Sequence, residues 1–462
     1  MILMTLIKSI SGIRGTIGGK PGESLSPVDI IKFSAAYGTW IKRRNNGVIK
    51  VIIGRDARKS GPMVNGLVIS SLRSIGINVI DLGMATTPTV EIAVTGTGAQ
   101  GGIIITASHN PANWNALKLL NEKGEFLSAR DGEEVLALAA SEKFEFVMTE
   151  SEGNLITDDT WHKKHIKKIL DLDLVDVEAI KKSGFTVAVD CINSVGGLVV
   201  PQLLKSLGVK KVIGLNMDPD GNFAHNPEPL PENLKDISAL VAKENADLGF
   251  VVDPDVDRLA IICEDGSMFG EEYTLVAVSD YILKHTPGST VSNLSSTKAL
   301  KDVSEKYGCS YYSSAVGEVN VVEAMKRINA VIGGEGNGGV IYPALHYGRD
   351  ALAGIALFLT HLAKSNLKCS GMRRQYPDYY ISKKRMMIEQ NMDFKEILNA
   401  IRKEFSGLNI DERDGMRIDL SDGWVQVRKS NTEAIIRIYA ESRTIRDAGL
   451  LAEKVMEIVK KH

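Results

Sequence analysis

The chain has 462 residues, 44% hydrophobic and 24% charged, with 55 Lys and Arg against 57 Asp and Glu. That is the composition of an ordinary globular protein, long enough for about three or four domains, and its net charge of −2 leaves no global basic field for nucleic acid or an anionic membrane. No window supplies the ~18 apolar residues of a membrane span, "MILMTLIKSISGIRG" is too interrupted for a signal peptide, and Cys191, Cys263, Cys309 and Cys369 form no CxxC pair, so a cytoplasmic protein with reduced thiols is expected.

Taken in order, "SPVDIIKFSAAYGTWIKRR" predicts a first helix, with Ser26 at the N-cap, Pro27 at the first helical position and Asp29 in the first turn. "GVIKVIIG" predicts a buried strand, and Ser60-Gly61-Pro62 starts a second helix. Met63, Val64, Leu67, Val68, Leu72 and Ile75 share one face of it at helical spacing, and Gly76 ends it. "INVIDLG" follows as a parallel strand and completes a βαβ unit. The same order returns in "FTVAVDCINSVGGLVVPQLLKSLGVKKVIGLN" and again in "GSTVSNLSSTKALKDVSEKYGCSYYSSAVG". From about Gly371 the rhythm changes. "MDFKEILNAIRKEF" is helical, "GMRIDLSDGWVQVRK" reads as a hairpin around Ser421-Asp422-Gly423, "AIIRIYAES" as a strand, and a last helix is capped near Thr444. The expected fold class is α/β: three similar mixed α/β domains (residues 1–152, 153–264 and 265–370) and a smaller C-terminal α+β domain (371–462).

Four loops carry residues with chemistry. "GGIIITASHNP" runs a buried strand into Ser108, His109 and Asn110. The carboxyl end of a strand in an open α/β sheet is where ligands gather, although Ser and Asn also close ordinary tight turns. Lys118, in the following "NALKLL", adds a charge that such a turn does not need. "VVDPDVDRLAIIC" places Asp253, Asp255 and Asp257 on alternate positions after an apolar strand. Carboxylates this close repel one another unless a cation joins them, and an all-oxygen set suits Mg²⁺. An EF-hand calcium loop is opposed by Arg258 at the position that needs Gly; an acidic surface turn is the plain alternative. "IGGEGNGGVIYP" surrounds Glu335 and Asn337 with five glycines, either a flexible turn or a backbone shaped for close approach to a ligand. A lone carboxylate there suits vicinal sugar hydroxyls. "VRKSNTEAIIRIY" offers Arg428, Ser430, Asn431 and Thr432, with Arg437 one strand onward. This is an anion nest for a phosphate, or a polar turn with an exposed arginine.

Together "TASHNP", "DPDVDR", "GGEGNGG" and "RKSNTEA" resemble the α-D-phosphohexomutases, the superfamily of phosphoglucomutase, phosphomannomutase and phosphoglucosamine mutase, over the whole chain and in the family's order. The resemblance implies a four-domain fold and an isomerase that interconverts hexose 6-phosphate and hexose 1-phosphate. It would work through a phosphoserine and a hexose 1,6-bisphosphate, which also serves as activator. Ser108 would carry the phosphoryl group. Asp253, Asp255 and Asp257, with a phosphoryl oxygen on Ser108, would hold one Mg²⁺ per chain. Arg258, Arg14 of "SGIRG" and Lys118 would flank the transferring group, with Lys118 or His109 as general base. Glu335, Asn337 and Gly317 would bind the sugar, and Arg428, Ser430, Asn431, Thr432 and Arg437 the phosphate that is not reacting. Phosphoryl transfer asks mainly for positioning and charge neutralisation, which this set supplies.

Many relatives have Ser at the position of Asn337 and His at that of Gly339, where His346 of "ALHYGRD" is a candidate replacement; Pro is common where Ala434 stands. The "GGEGNGG" form points to conversion of glucosamine 6-phosphate to glucosamine 1-phosphate, with glucose and mannose phosphates as the alternative. Two rival readings use the same residues: an aspartyl-phosphate phosphatase with Asp255 as nucleophile, and a non-catalytic sugar-phosphate sensor. The expected partners are small sugar phosphates, with no nucleic acid and no membrane, on a monomer or homodimer.

Overall fold

The computed structural model of the chain describes residues 5–9, 12–388, 392–430 and 435–461. Its internal contacts separate two units, Met1–Thr274 with Gly338–Arg373, and Leu275–Asn337 with Arg374–His462.

In the first unit a seven-stranded sheet runs in the order Ile7–Ser9, Gly12–Thr16, Trp114–Leu120, Gly101–Ile105, Lys50–Arg55, Asn78–Met84, Leu155–Thr157. Lys50–Arg55 pairs in parallel with both Asn78–Met84 and Gly101–Ile105, and Leu155–Thr157 extends the parallel set. Gly101–Ile105 is buried along its whole length because both faces are covered. Ile103 and Ile105 join one core with Ile30, Phe33, Val64 and Val68, while Ile104 joins the other with Val90 and Val94. Ser26 caps the helix Pro27–Arg44 through a reciprocal bond with Asp29. The helix Gly61–Arg73 ends before Gly76, which turns the chain at φ +83°. Met63 is 40% exposed, so the buried stripe of that helix is narrower than its spacing suggests.

A second sheet of the same unit runs Leu259–Cys263, Leu248–Val252, Thr186–Asp190, Lys211–Leu215. Its first pair is antiparallel, with Val252 opposite Leu259, which makes "DPDVDR" the connection of a hairpin. The remaining pairs are parallel.

In the second unit Tyr311–Ser314, Thr290–Asn293 and Ile332–Glu335 lie parallel, side by side. Five antiparallel strands follow in the order Tyr380–Met387, Ile435–Ser442, Gly423–Lys429, Met416–Leu420, Asn409–Asp411. The expected hairpin is present, with Leu420 opposite Gly423, and Thr444 caps the helix Ile445–Lys460. One face of this sheet buries Val425, Val427, Ile436 and Ile438 against Ile397, Ile401, Val455 and Val459. By strand alternation the other face carries Gln426, Arg428, Arg437 and Glu441. Ser295 Oγ donates to Gln426 Oε1 at 2.6 Å and the Lys298 N–H to Glu441 Oε1 at 2.9 Å, so hydrogen bonds hold this face alongside the buried Trp424.

Candidate active site

Gly101–Ile105 delivers Ser108 just beyond the carboxyl end of its strand. Ser108 is 5% exposed and takes φ +48°, a left-handed conformation that a side chain disfavours. Its N–H donates to Thr106 Oγ1 at 3.0 Å, and its hydroxyl donates to Asp253 Oδ2 at 2.8 Å. Two loops that are distant in sequence therefore meet at the serine oxygen.

The other Asp253 oxygen, Oδ1, accepts the N–H groups of Asp257 and Arg258 at 3.1 and 3.2 Å. These bonds fold the hairpin loop back on itself, and Val256 at its tip takes φ +61°, a rare state for a β-branched residue. The three carboxylates are buried, with one oxygen from each within 4.8 Å of the others. Asp255 Oδ2 accepts from Thr87 Oγ1 at 2.6 Å and Lys118 Nζ at 2.7 Å; Asp257 Oδ2 accepts from Arg349 Nη2 at 2.7 Å. Asp255 Oδ1 and Asp257 Oδ1 are buried with no hydrogen-bond partner among the described residues. Burial, then the charges of Asp257 and Asp255, push the Asp253 carboxyl well above the ordinary range. Burial would raise Asp255 as well, but the Lys118 ammonium outweighs it and holds that carboxyl low. Orphaned carboxylate oxygens beside an acid driven to bind a proton are relieved by a hard divalent cation. The donor set fits Mg²⁺.

Cations close over this acidic floor. Arg258 Nε lies 3.8 Å from Asp257 Oδ1. The charge of Arg258, then burial, then Arg14 and Arg349 hold the His109 imidazole well below its usual pKa, so the ring is neutral. Burial would lower Lys118, but Asp255 and Asp257 raise it, so its ammonium stays charged. Burial and Arg258 depress even Arg14. With four cations (Arg14, Lys118, Arg258, Arg349) around three carboxylates, the local field favours an anion before any metal is counted.

The structure thus brings together Ser108, His109, Lys118, Arg14, Arg258 and the three aspartates. Sequence reasoning missed Thr87, Arg349, Asp56 and Arg58. The last two stand in "GRDAR", just past the carboxyl end of Lys50–Arg55, and the strand-end rule that marked Ser108 would have found them. Thr87 and Arg349 have no local pattern to announce them.

The remaining candidates lie in the second unit. Glu335 is 5% exposed, and its Oε1 accepts from Asn293 Nδ2 at 2.8 Å and the Gly317 N–H at 3.2 Å. Gly317 takes φ +114°, which suits the residue chosen there. Asn337 closes this unit, and Gly338 begins the return to the first. At Gly338, with φ +84°, an added Cβ would meet Leu259 O at 2.4 Å, so that glycine answers to the backbone. Arg428 lies directly across from Arg437, and Arg437 from Arg385. Like charges in a cross-strand row repel, and an anion would relieve them. The Ser430 N–H donates to Ile435 O at 2.9 Å; Asn431 and Thr432 lie outside the described residues. His346, in the first unit, has Nδ1 3.3 Å from Glu91 Oε2 and Nε2 3.2 Å from Asp350 Oδ2. Both ring nitrogens thus lie within ion-pair distance of buried carboxylates.

The chain matches four successive phosphoglucomutase/phosphomannomutase family descriptions: alpha/beta/alpha domain I over residues 6–146, domain II over 163–266, domain III over 270–380, and the C-terminal domain over 387–458. It is 38% identical over 436 residues to a phosphoglucomutase/phosphomannomutase of Thermococcus kodakarensis, covering 93% of this chain and 94% of that protein. A probable phosphoglucosamine mutase of Methanopyrus kandleri is 32% identical over 456 residues, covering 98% and 97%. Among solved structures, a phosphoglucomutase/phosphomannomutase family protein of Burkholderia thailandensis superposes with a TM-score of 0.84 at 24% identity, covering 100% of this chain and 98% of that one, which shows the shared fold. The chain belongs to the phosphoglucomutase/phosphomannomutase family, within the α-D-phosphohexomutase superfamily.

Proposed function

We propose that this protein interconverts hexose 6-phosphate and hexose 1-phosphate, with Ser108 as the phosphoryl carrier. The observation that supports this most is the serine hydroxyl 2.8 Å from Asp253, at the meeting point of a carboxylate triad and a ring of cations. The phosphoryl group leaves Ser108 Oγ for a sugar hydroxyl, which gives up its proton. The resulting bisphosphate turns round and returns its other phosphoryl group to Ser108. Bound by Asp253, Asp255, Asp257 and a phosphoryl oxygen, Mg²⁺ would supply charge neutralisation at the transferring group. Arg14, Arg258 and Lys118 offset its equatorial oxygens. We assign the proton to His109, whose ring is neutral, because Lys118 is committed to Asp255. Glu335, Gly317 and Asn337 hold sugar hydroxyls, and Arg428, Ser430, Asn431, Thr432 and Arg437 the phosphate that is not reacting.

The finer reading is glucosamine 6-phosphate, supported by "GGEGNGG" and by the name of the Methanopyrus relative. Glucose and mannose phosphates are the second reading, favoured by the name of the more identical Thermococcus protein. Phosphorus NMR with Mg²⁺ and a trace of hexose 1,6-bisphosphate, each ester offered separately, separates the two. Isomerisation is expected, and Ser108→Ala should abolish it while the fold is retained. Release of inorganic phosphate alone, or a label on the enzyme that hydroxylamine removes, would hand the site to the Asp255 phosphatase.

A further inference from the structure

Arg58 is fully buried, with 0% of its side chain exposed. A guanidinium has five N–H donors and no acceptor, and here each donor has its own oxygen. Nε donates to Asp56 Oδ2 at 3.0 Å. Nη1 donates to the carbonyls of Pro111 at 2.5 Å and Trp114 at 3.0 Å. Nη2 donates to those of Ser108 at 2.6 Å and Asn110 at 2.7 Å. One side chain thus collects three carbonyls of the loop that carries Ser108 and one at the start of the strand that follows it, from a position about fifty residues away in sequence.

Asp56 completes the arrangement. Its Oδ1 accepts the Arg58 N–H at 2.9 Å, and its Oδ2 accepts from Thr106 Oγ1 at 2.6 Å as well as from Arg58. Thr106 in turn receives the Ser108 N–H. The same segment also reaches the aspartate loop, since the Ala57 N–H points to Ser194 Oγ at 3.4 Å and that hydroxyl donates to Pro254 O at 2.7 Å. The Phe223 ring lies 5.0 Å from the Arg58 guanidinium carbon.

We propose that Arg58, oriented by Asp56, is the positioning residue for phosphoryl transfer: it fixes Ser108 Oγ against the aspartate loop and keeps it there through both halves of the cycle. The inference rests on the reading of Ser108 as phosphoryl carrier. That carrier gains and loses a phosphate dianion in every turnover, so a loop held only by the phosphate would shift each time. Arg58 holds the backbone instead, and its five bonds do not depend on what Oγ carries. Because C=O and N–H of a trans peptide point opposite ways, drawing the Ser108 carbonyl toward Arg58 also turns the His109 N–H away from it. The left-handed φ of Ser108 persists because both sides of that residue are pinned.

The test uses the full-length enzyme, loaded at Ser108 with glucose 1,6-bisphosphate and checked by intact mass. Single-turnover transfer to a hexose 6-phosphate is then followed by rapid quench. Arg58→Lys keeps the charge but loses the planar fork; transfer and kcat should fall on the order of 10²-fold, with KM and the Mg²⁺ requirement nearly unchanged. Should Arg58→Lys fail to fold, Thr106→Val and Thr106→Ser decide: the valine variant should slow transfer and the serine variant restore it. A wild-type protein with no phosphoryl group on Ser108 would remove the carrier reading itself. A phosphorylated wild type with a folded Arg58→Lys or Thr106→Val that transfers at the wild-type rate would overturn the positioning role alone.

Discussion

Thr87 Oγ1 donates a hydrogen bond to a carboxylate 168 residues further along the chain. That bond and Lys118 Nζ occupy one oxygen of Asp255 and leave the other orphaned, so the orientation of the Asp255 carboxylate depends on a threonine with no motif of its own. Thr87→Val keeps the shape and deletes the donor. Loss of such a supporting bond should raise the Mg²⁺ concentration for half-maximal activity on the order of tenfold; a titration that superposes on wild type would deny Thr87 that role. Ser108 and the three aspartates could be read from the sequence because each set stands in one short loop. Thr87, Arg349 and Arg58 could not, because their roles exist only when segments remote in sequence meet. Arg428 and Arg437 could be named from their loop, but their alignment with each other and with Arg385 could not, since cross-strand register leaves no mark in a single strand.

Behind the aspartate loop, three helices are joined by a chain of buried polar groups. Thr89 of Thr87–Thr97 and His165 of Trp161–Leu170 are 3.0 Å apart. His165 Nε2 lies 2.9 Å from Asp350, which caps Ala351–Ser365, and His346 stands between Asp350 and Glu91. Thr87 and Arg349, close in sequence to Thr89 and Asp350, are the residues that bond Asp255 and Asp257. Burial alone would lower the His346 pKa, but hydrogen bonds to Asp350 and Glu91, with their charges, push it up to about 10. A histidine raised above its unfolded value of about 6.5 stabilises the fold fully below that pH and loses the contribution as pH rises through about 10. Wild type should therefore lose denaturant stability between neutral pH and about 10. His346→Gln should be less stable by about 3 kcal/mol at acid-neutral pH and lack that slope. Parallel stability curves for the two proteins would exclude a charged His346. The helices themselves were plain in the sequence, down to the Ser26 and Thr444 caps, because capping is local. Their polar cross-links were not, since a buried histidine looks like any other until its partners arrive.

At the scale of the whole molecule, alternating strand and helix patterns conveyed three α/β layers and a different last domain, and the four family matches follow that order. The contact division is another matter. The chain passes from one unit to the other after Thr274, Asn337 and Arg373, and one of these passages lies inside "GGEGNGG", where composition suggested only a glycine-rich loop. Compactness is a property of long-range contacts, which periodicity does not encode.

The five bonds of Arg58 also bear on time. Active-site loops usually belong to the least stable parts of a protein and exchange their amide hydrogens by local opening. The Ser108 loop cannot open that way, because lifting it would leave a charged guanidinium inside the protein without its oxygens. The bonded amides of Ser108 and Asn110 should exchange only when the surrounding sheet opens, as slowly as those of Gly101–Ile105, whereas those of the exposed Ala112 and Asn113 exchange freely, and mass spectrometry of overlapping peptides covering residues 101–116 in deuterated water separates the two. Exchange within seconds would mean that the loop breathes independently. Slow exchange would mean that the serine is as permanent a part of the molecule as its core.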